Sequence, residues 1–355
     1  MNNELLRYKS RFLTFVLLLG YAFIHTQLTG LYSELSLSGF IDFSVRLPYG
    51  QRLLVPALAN LAARVLPLAA EELFFLLELL FITLFYFAMK SLMQREFDLR
   101  QAQFLSWLFI LLLPLITVVN YRFRTNGIAT FFYPSDTSTL FFMAIGLLLC
   151  LRSQWLYFIP WVFLATLNRE SSILLVLIIP ALYWQTLKTV LKPMAWALLA
   201  YLLARLLILQ FLHGIPGELI EWRAEGAPFN HFRYNLLWLM NGQNILLFIF
   251  CFAGLPFFWF AFFDFIPLQY RPLRYIALFY FLGLLMVGRF MEARIFSEIV
   301  VLLYLPVCIA LKNWLSGFEP IVSDHFLAYY INRYAVLSLL FATVILHQLL
   351  YHLVL

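Results

Sequence analysis

Apolar stretches about as long as a bilayer is thick recur along this chain, at residues 11–30, 70–90, 102–120, 136–151, 193–212, 243–264, 275–288, 297–312 and 335–354. A helix needs about 20 apolar residues to cross the hydrocarbon layer, so these stretches read as membrane helices, the shorter ones crossing with tilt or with help from neighbours. No other feature constrains the fold as tightly. With 64% hydrophobic and 12% charged residues among 355, the chain has too little polar surface for a water-soluble domain. Residues 155–186 are too long for one helix and are interrupted by Asn168-Arg169-Glu170-Ser171-Ser172, which predicts two helices or a re-entrant pair. Arg7, Lys9 and Arg11 precede the first stretch, and no small-residue cleavage pattern follows it. It therefore reads as an uncleaved first helix rather than a signal peptide.

The segment Arg52 to Leu68 decides the topology. Its polar or kinking residues Arg52, Pro56, Asn60 and Arg64 recur every four positions, one stripe along a helix, which suits an amphipathic helix lying in the interface. With that helix off the crossing path and the N-terminus inside, Lys9, Lys90, Lys188, Lys192 and Lys312 all fall on the cytoplasmic side, as the positive-inside rule asks. The expected fold is an all-α polytopic transmembrane bundle of about eleven spans plus the interfacial helix. It forms a single domain over residues 1–355, with its first external loop at about 31–69.

In this topology the informative polar residues gather on the far side. The first loop carries Glu34, Asp42, Arg46 and Arg52, the second Arg122, Arg124 and Asp136, and the third Asn168, Arg169 and Glu170. A longer loop at about 213–242 adds His213, Glu218, Glu221, Arg223, Glu225, His231 and Arg233, and a short one carries Arg289, Glu292, Arg294 and Glu298. Charges at an apolar boundary are costly and mark functional or paired groups. Arginine's planar fork grips phosphate oxygens at two points, which lysine cannot do, so an arginine-rich site suits a lipid-linked phosphate or pyrophosphate. The carboxylates would serve as base or metal ligands. Each residue also has a plainer reading: Asp136 as a helix cap, Asn168-Arg169-Glu170 as a locally paired turn, Arg289, Glu292 and Arg294 as an interfacial ion-pair cluster, Glu78 and Arg205 as helix-packing groups.

Other classes are excluded or disfavoured. The net charge of +6 is not carried on a basic, aromatic-interleaved polar stretch, so no nucleic-acid partner is expected. Cys150, Cys251 and Cys308 lie in apolar stretches without CxxC spacing, and His213 and His231 lack metal-ligand spacing. Neither GxSxG nor HExxH occurs, which disfavours hydrolases built on those motifs.

The order of Phe40-Ile41-Asp42-Phe43, Gln51-Arg52-Leu53-Leu54-Val55-Pro56, Pro134-Ser135-Asp136, Asn168-Arg169-Glu170 and Glu292-Ala293-Arg294 resembles short bacterial integral-membrane glycosyltransferases of the GT-C superfamily. The resemblance covers about 35–300 and implies an extracytoplasmic site, in the bacterial inner membrane, that uses a polyprenyl-phosphate-linked sugar in building cell-envelope polysaccharide or lipid. It makes Asp42 the leading catalytic base and Arg52 to Leu68 a membrane-parallel helix. Arg169, Arg289 and Arg294 become donor-phosphate ligands, with Arg46, Arg52, Arg122, Arg124, Asp136, Asn168, Glu170 and Glu292 as further substrate contacts. The first loop lacks the paired Asp-Asp or Glu-Asp of metal-dependent members, so a single-carboxylate inverting transfer without cofactor or metal is preferred. The large soluble C-terminal domain of oligosaccharyltransferases is also missing, which favours a lipid or glycan acceptor. A Wzy-type polysaccharide polymerase, a lipid or glycan transporter and a non-catalytic scaffold are the alternatives.

Overall fold

Helices make up the regular structure of the described residues, joined only by two isolated bridges of extended backbone, Gly30 to Phe131 and Leu47 to Gly217. The computed structural model describes residues 2–32, 35–119, 130–223, 229–241 and 254–322, with isolated positions between 244 and 251 and at 330 and 334. The expected crossing at 335–354, most of 243–253, and the candidates Arg122 and Arg124 lie outside the described residues.

The helices in order are α1 (Asn2–Leu28), α2 (Leu37–Ile41), α3 (Leu54–Ala63), α4 (Ala70–Met93), α5 (Leu99–Leu112), α6 (Pro114–Thr117) and α7 (Asp136–Leu151). They continue with α8 (Trp155–Asn168), α9 (Ile173–Leu182), α10 (Leu187–Phe211), α11 (His231–Leu239), α12 (Leu255–Ala261), α13 (Leu273–Val287) and α14 (Ser297–Leu315). Among the described residues, five segments are long and apolar enough to cross a membrane: Tyr8–Leu28, Ala70–Met93, Leu99–Thr117, Trp184–Phe211 and Ala293–Leu315. The apolar helices α7, α8, α9 and α13 are shorter. The stretch expected to form one helix over 243–264 is broken where Gly254 takes a left-handed φ of 72° and Pro256 follows.

The apolar helices differ in how deeply they are buried. Helix α7, apolar on nearly every face, is enclosed by α4, α8 and α14, and α14 is buried continuously from Ser297 to Ala310. Helices α7 and α9 approach so closely that a Cβ on Gly146 would collide with the Leu175 side chain, so glycine at that position sets their separation. Buried Glu78 on α4 accepts hydrogen bonds from His25 of α1 at 2.8 Å and Thr137 of α7 at 2.5 Å, which satisfies the packing reading of that carboxylate.

The ten residues of α3 span about 15 Å, too short to cross. The helix buries Val55, Pro56 and Ala59 against α2, α4 and α8 and leaves Leu61 exposed. Asn60 donates to the Ile41 carbonyl at 3.0 Å, while Arg64 is exposed.

Helix direction sorts the charges. The starts of α7 and α14 and the end of α10 lie at one end of the bundle. Lys9, Lys90, Lys188, Lys192 and Lys312 sit at the opposite helix ends, where Lys312 donates to the Glu96 carbonyl at 2.7 Å.

Candidate functional site

The site is built on the N-terminus of α7. Asp136 opens that helix, where the peptide dipoles favour a negative group, and is 1% exposed. It accepts from Arg169 Nη1 at 3.0 Å and from Arg294 Nη1 at 3.1 Å. Arg169 reaches this place because α8 stops just before it. The Asn168 amide locks the end of α8 to α7, accepting from Ser138 at 2.6 Å and donating to Thr139 at 2.9 Å. Arg169 then turns extended, and Glu170–Ser172 form one tight turn into α9. Arg169 Nε lies 3.4 Å from Glu298 in the first turn of α14, and Ser171 donates to the same carboxylate at 2.7 Å. Arg294 also donates to Glu292 at 2.6 Å. Burying this many charges is tolerable because they pair with one another.

Above this floor opens a cavity of about 320 Å³, lined by Arg52, Arg169, Arg289, Arg294, Glu170, Glu221, Glu292 and His231 together with Tyr32, Tyr49 and Tyr133. The guanidinium of Arg294 lies 4.0 Å, and that of Arg52 5.3 Å, from the Tyr133 ring centroid, contacts that hold cations by the ring quadrupole. Tyr49 stacks on Tyr133 at 5.5 Å and donates to Glu221 at 2.9 Å. Burial pushes the Tyr133 hydroxyl up to about 12 and, with Tyr133 and Glu221 nearby, raises Tyr49 as well; both phenols are neutral donors at physiological pH. Burial and the neighbouring Arg289 hold the His231 imidazole below its ordinary value of 6.5, so it is uncharged at pH 7.

Backbone pairing fixes the rim. Leu47 N–H donates to the Pro216 carbonyl at 2.9 Å, and Gln51 donates to the Leu219 carbonyl at 2.8 Å. Gly217, at a φ of 116°, places its missing Cβ 2.5 Å from the Leu47 oxygen; only glycine allows that approach. Arg205 Nη2 binds Gln51 Oε1 at 2.5 Å, a structural role for that arginine.

Of the residues singled out in the sequence, Arg52, Arg169, Glu170, Arg289, Glu292 and Arg294 line one cavity, and Asp136 lies beneath it. Arg46 stands behind the lining, 5.8 Å from the Tyr49 ring centroid. Asn168, expected to contact substrate, is 1% exposed, bonded to Ser138 and Thr139 of α7, and not among the residues that line this cavity. Asp42, expected as the catalytic base, is exposed at the end of α2, where its N–H closes the last turn on the Ser38 carbonyl at 3.0 Å, and it is not among the residues that line this cavity.

Sequence reasoning missed Tyr49, Tyr133 and the buried role of Glu298. A signal existed, since each tyrosine lies three residues before a charged site residue, Arg52 or Asp136. Among the described residues, no three His, Cys, Asp or Glu side chains gather so as to hold a metal ion, and the cysteines are buried and unbridged. No protein-family model, curated protein or solved structure matches the chain.

Proposed function

We propose that this protein is an integral-membrane glycosyltransferase that moves a sugar from a polyprenyl-phosphate donor to a lipid or glycan acceptor outside the cytoplasm. The observation that supports the reading best is the convergence of Arg52, Arg169, Arg289 and Arg294 on one cavity, at the bundle end away from the lysines. In an orientation that obeys the positive-inside rule, that end faces outward. The short helices α7, α8, α9 and α13, together with the crossings expected from the sequence at 243–264 and 335–354, then complete a GT-C-like bundle of about eleven spans, placed in a bacterial inner membrane.

Chemically, inverting transfer separates the sugar's anomeric carbon from a phosphate oxygen, and charge grows on the departing phosphate. Guanidinium forks fixed before the reaction stabilise that charge without reorganising. Arg169 and Arg294 are fixed by Asp136 beneath them, and the neutral Tyr133 hydroxyl adds a donor that carries no charge.

The test uses full-length protein in nanodiscs, titrated with undecaprenyl phosphate and, as control, undecaprenol. Undecaprenyl-phosphate-linked hexoses and pentoses are then screened for release of the lipid phosphate. Preferential binding of the phosphate and turnover of one donor are expected. Equal binding of phosphate and alcohol, with every donor left intact, sinks the proposal.

A further inference from the structure

Arg52 and Glu170 form the loosest ion pair of the site. Arg52 Nη2 stands 3.6 Å from Glu170 Oε1, whereas Arg294 meets Glu292 at 2.6 Å and Arg169 meets Asp136 at 3.0 Å. Arg52 Nε and Nη1 and Glu170 Oε2 are buried atoms with no hydrogen-bond partner among the described residues, a condition that native structures avoid unless a ligand or water completes the bonding. Both side chains line the cavity; Arg52 is 14% exposed, while the Glu170 side chain is 46% exposed and keeps only Oε2 fully covered. The pair thus holds two donors and one acceptor unused beside the same space.

The other carboxylates are engaged more directly. Glu221 accepts from Tyr49, Glu292 from Arg294, Asp136 from two arginines and Glu298 from Ser171. Only Glu170 among these lining or floor carboxylates meets its partner beyond hydrogen-bond distance. Resting on the phosphate reading above, we infer that Glu170 is a resident counter-ion that the donor phosphate displaces from Arg52, and that the released carboxylate is the catalytic base. In the step, the acceptor's hydroxyl proton passes to Glu170 while its oxygen bonds to the anomeric carbon. The bond from that carbon to the phosphate oxygen breaks, and its electron pair leaves with the phosphate, which Arg52 holds.

A double-mutant cycle tests this in full-length protein, with undecaprenyl phosphate as probe and Glu170→Asp and the melting temperature as checks on folding. Glu170→Gln removes the competitor and is expected to tighten binding severalfold. Arg52→Gln is expected to weaken it at least tenfold, and in the Arg52→Gln background the gain from Glu170→Gln disappears. On the donor that the wild type turns over, Glu170→Gln is expected to lose at least a hundredfold in kcat without a rise in KM, and Glu170→Asp to keep part of it. Weaker binding by Glu170→Gln, or full turnover, overturns the inference while leaving the site reading intact. Failure of the wild type to bind undecaprenyl phosphate fells the reading of the site itself.

Discussion

Asp136 and Arg294 meet at 3.1 Å across 158 residues of chain, and the same carboxylate holds Arg169 at 3.0 Å. One buried acid therefore orients two cations that arrive from separate loops. Asp136→Asn leaves both guanidinium groups buried with half their compensation, a defect that costs about 3–5 kcal/mol in buried pairs. The expected outcome is a melting temperature well below wild type in detergent, with anion binding lost alongside. An unchanged melting temperature would show that the network is not formed.

Arg289 lines the cavity without being part of that buried network. Arg289→Gln is expected to lower affinity for undecaprenyl phosphate about tenfold, the scale of one lost charge-assisted bond, with melting unchanged. Asp42→Asn, outside the cavity, is expected to leave affinity as it is. Isothermal titration of the two variants side by side separates the roles.

Orientation can be read with thiol reagents, since Cys150, Cys251 and Cys308 are buried. In intact cells Ser38→Cys, near the arginine-rich end, is expected to react with a membrane-impermeant maleimide. Lys188→Cys, at the opposite end, should react only after lysis. The reverse pattern would put the cavity in the cytoplasm and end the extracytoplasmic proposal.

His231 supplies a pH dependence with a defined sign. Its value in the folded protein lies below 6.5, so the unfolded chain binds the proton more readily. Stability from this group is complete above about pH 6.5 and is lost as pH falls through the folded value. Melting is expected to drop between pH 7 and pH 5, and His231→Gln to flatten that drop. An identical slope in the variant would discount the role of His231.

The helical architecture was legible because apolar length leaves few choices, and the break at Asn168-Arg169-Glu170 was legible because charges interrupt an otherwise continuous stretch. Convergence of Arg52, Arg169, Arg289 and Arg294 was legible for a related reason: charged residues in so apolar a chain collect at helix ends. What the sequence hides is depth and rotation. Asp42 and Arg52 share a loop, yet one ends α2 facing outward and the other lines the cavity. Asn168 and Arg169 are adjacent, yet one is spent on α7 and the other reaches the site. Tyr49 and Tyr133 stand three residues before Arg52 and Asp136, but that spacing does not tell that their rings lie against arginines.

The four arginines of the cavity sit among five carboxylates, Glu170, Glu221 and Glu292 in the lining and Asp136 and Glu298 beneath it. Such a mouth has little far-reaching pull on dissolved anions, because opposing charges a few ångströms apart cancel at distance. Its selectivity lies at contact range, where fork geometry counts. The lipid-linked substrate proposed above would gain more by arriving sideways through the bilayer, already anchored and concentrated in two dimensions, than by electrostatic capture from water. Capture kinetics should accordingly respond to the lipid's surface density and hardly at all to salt.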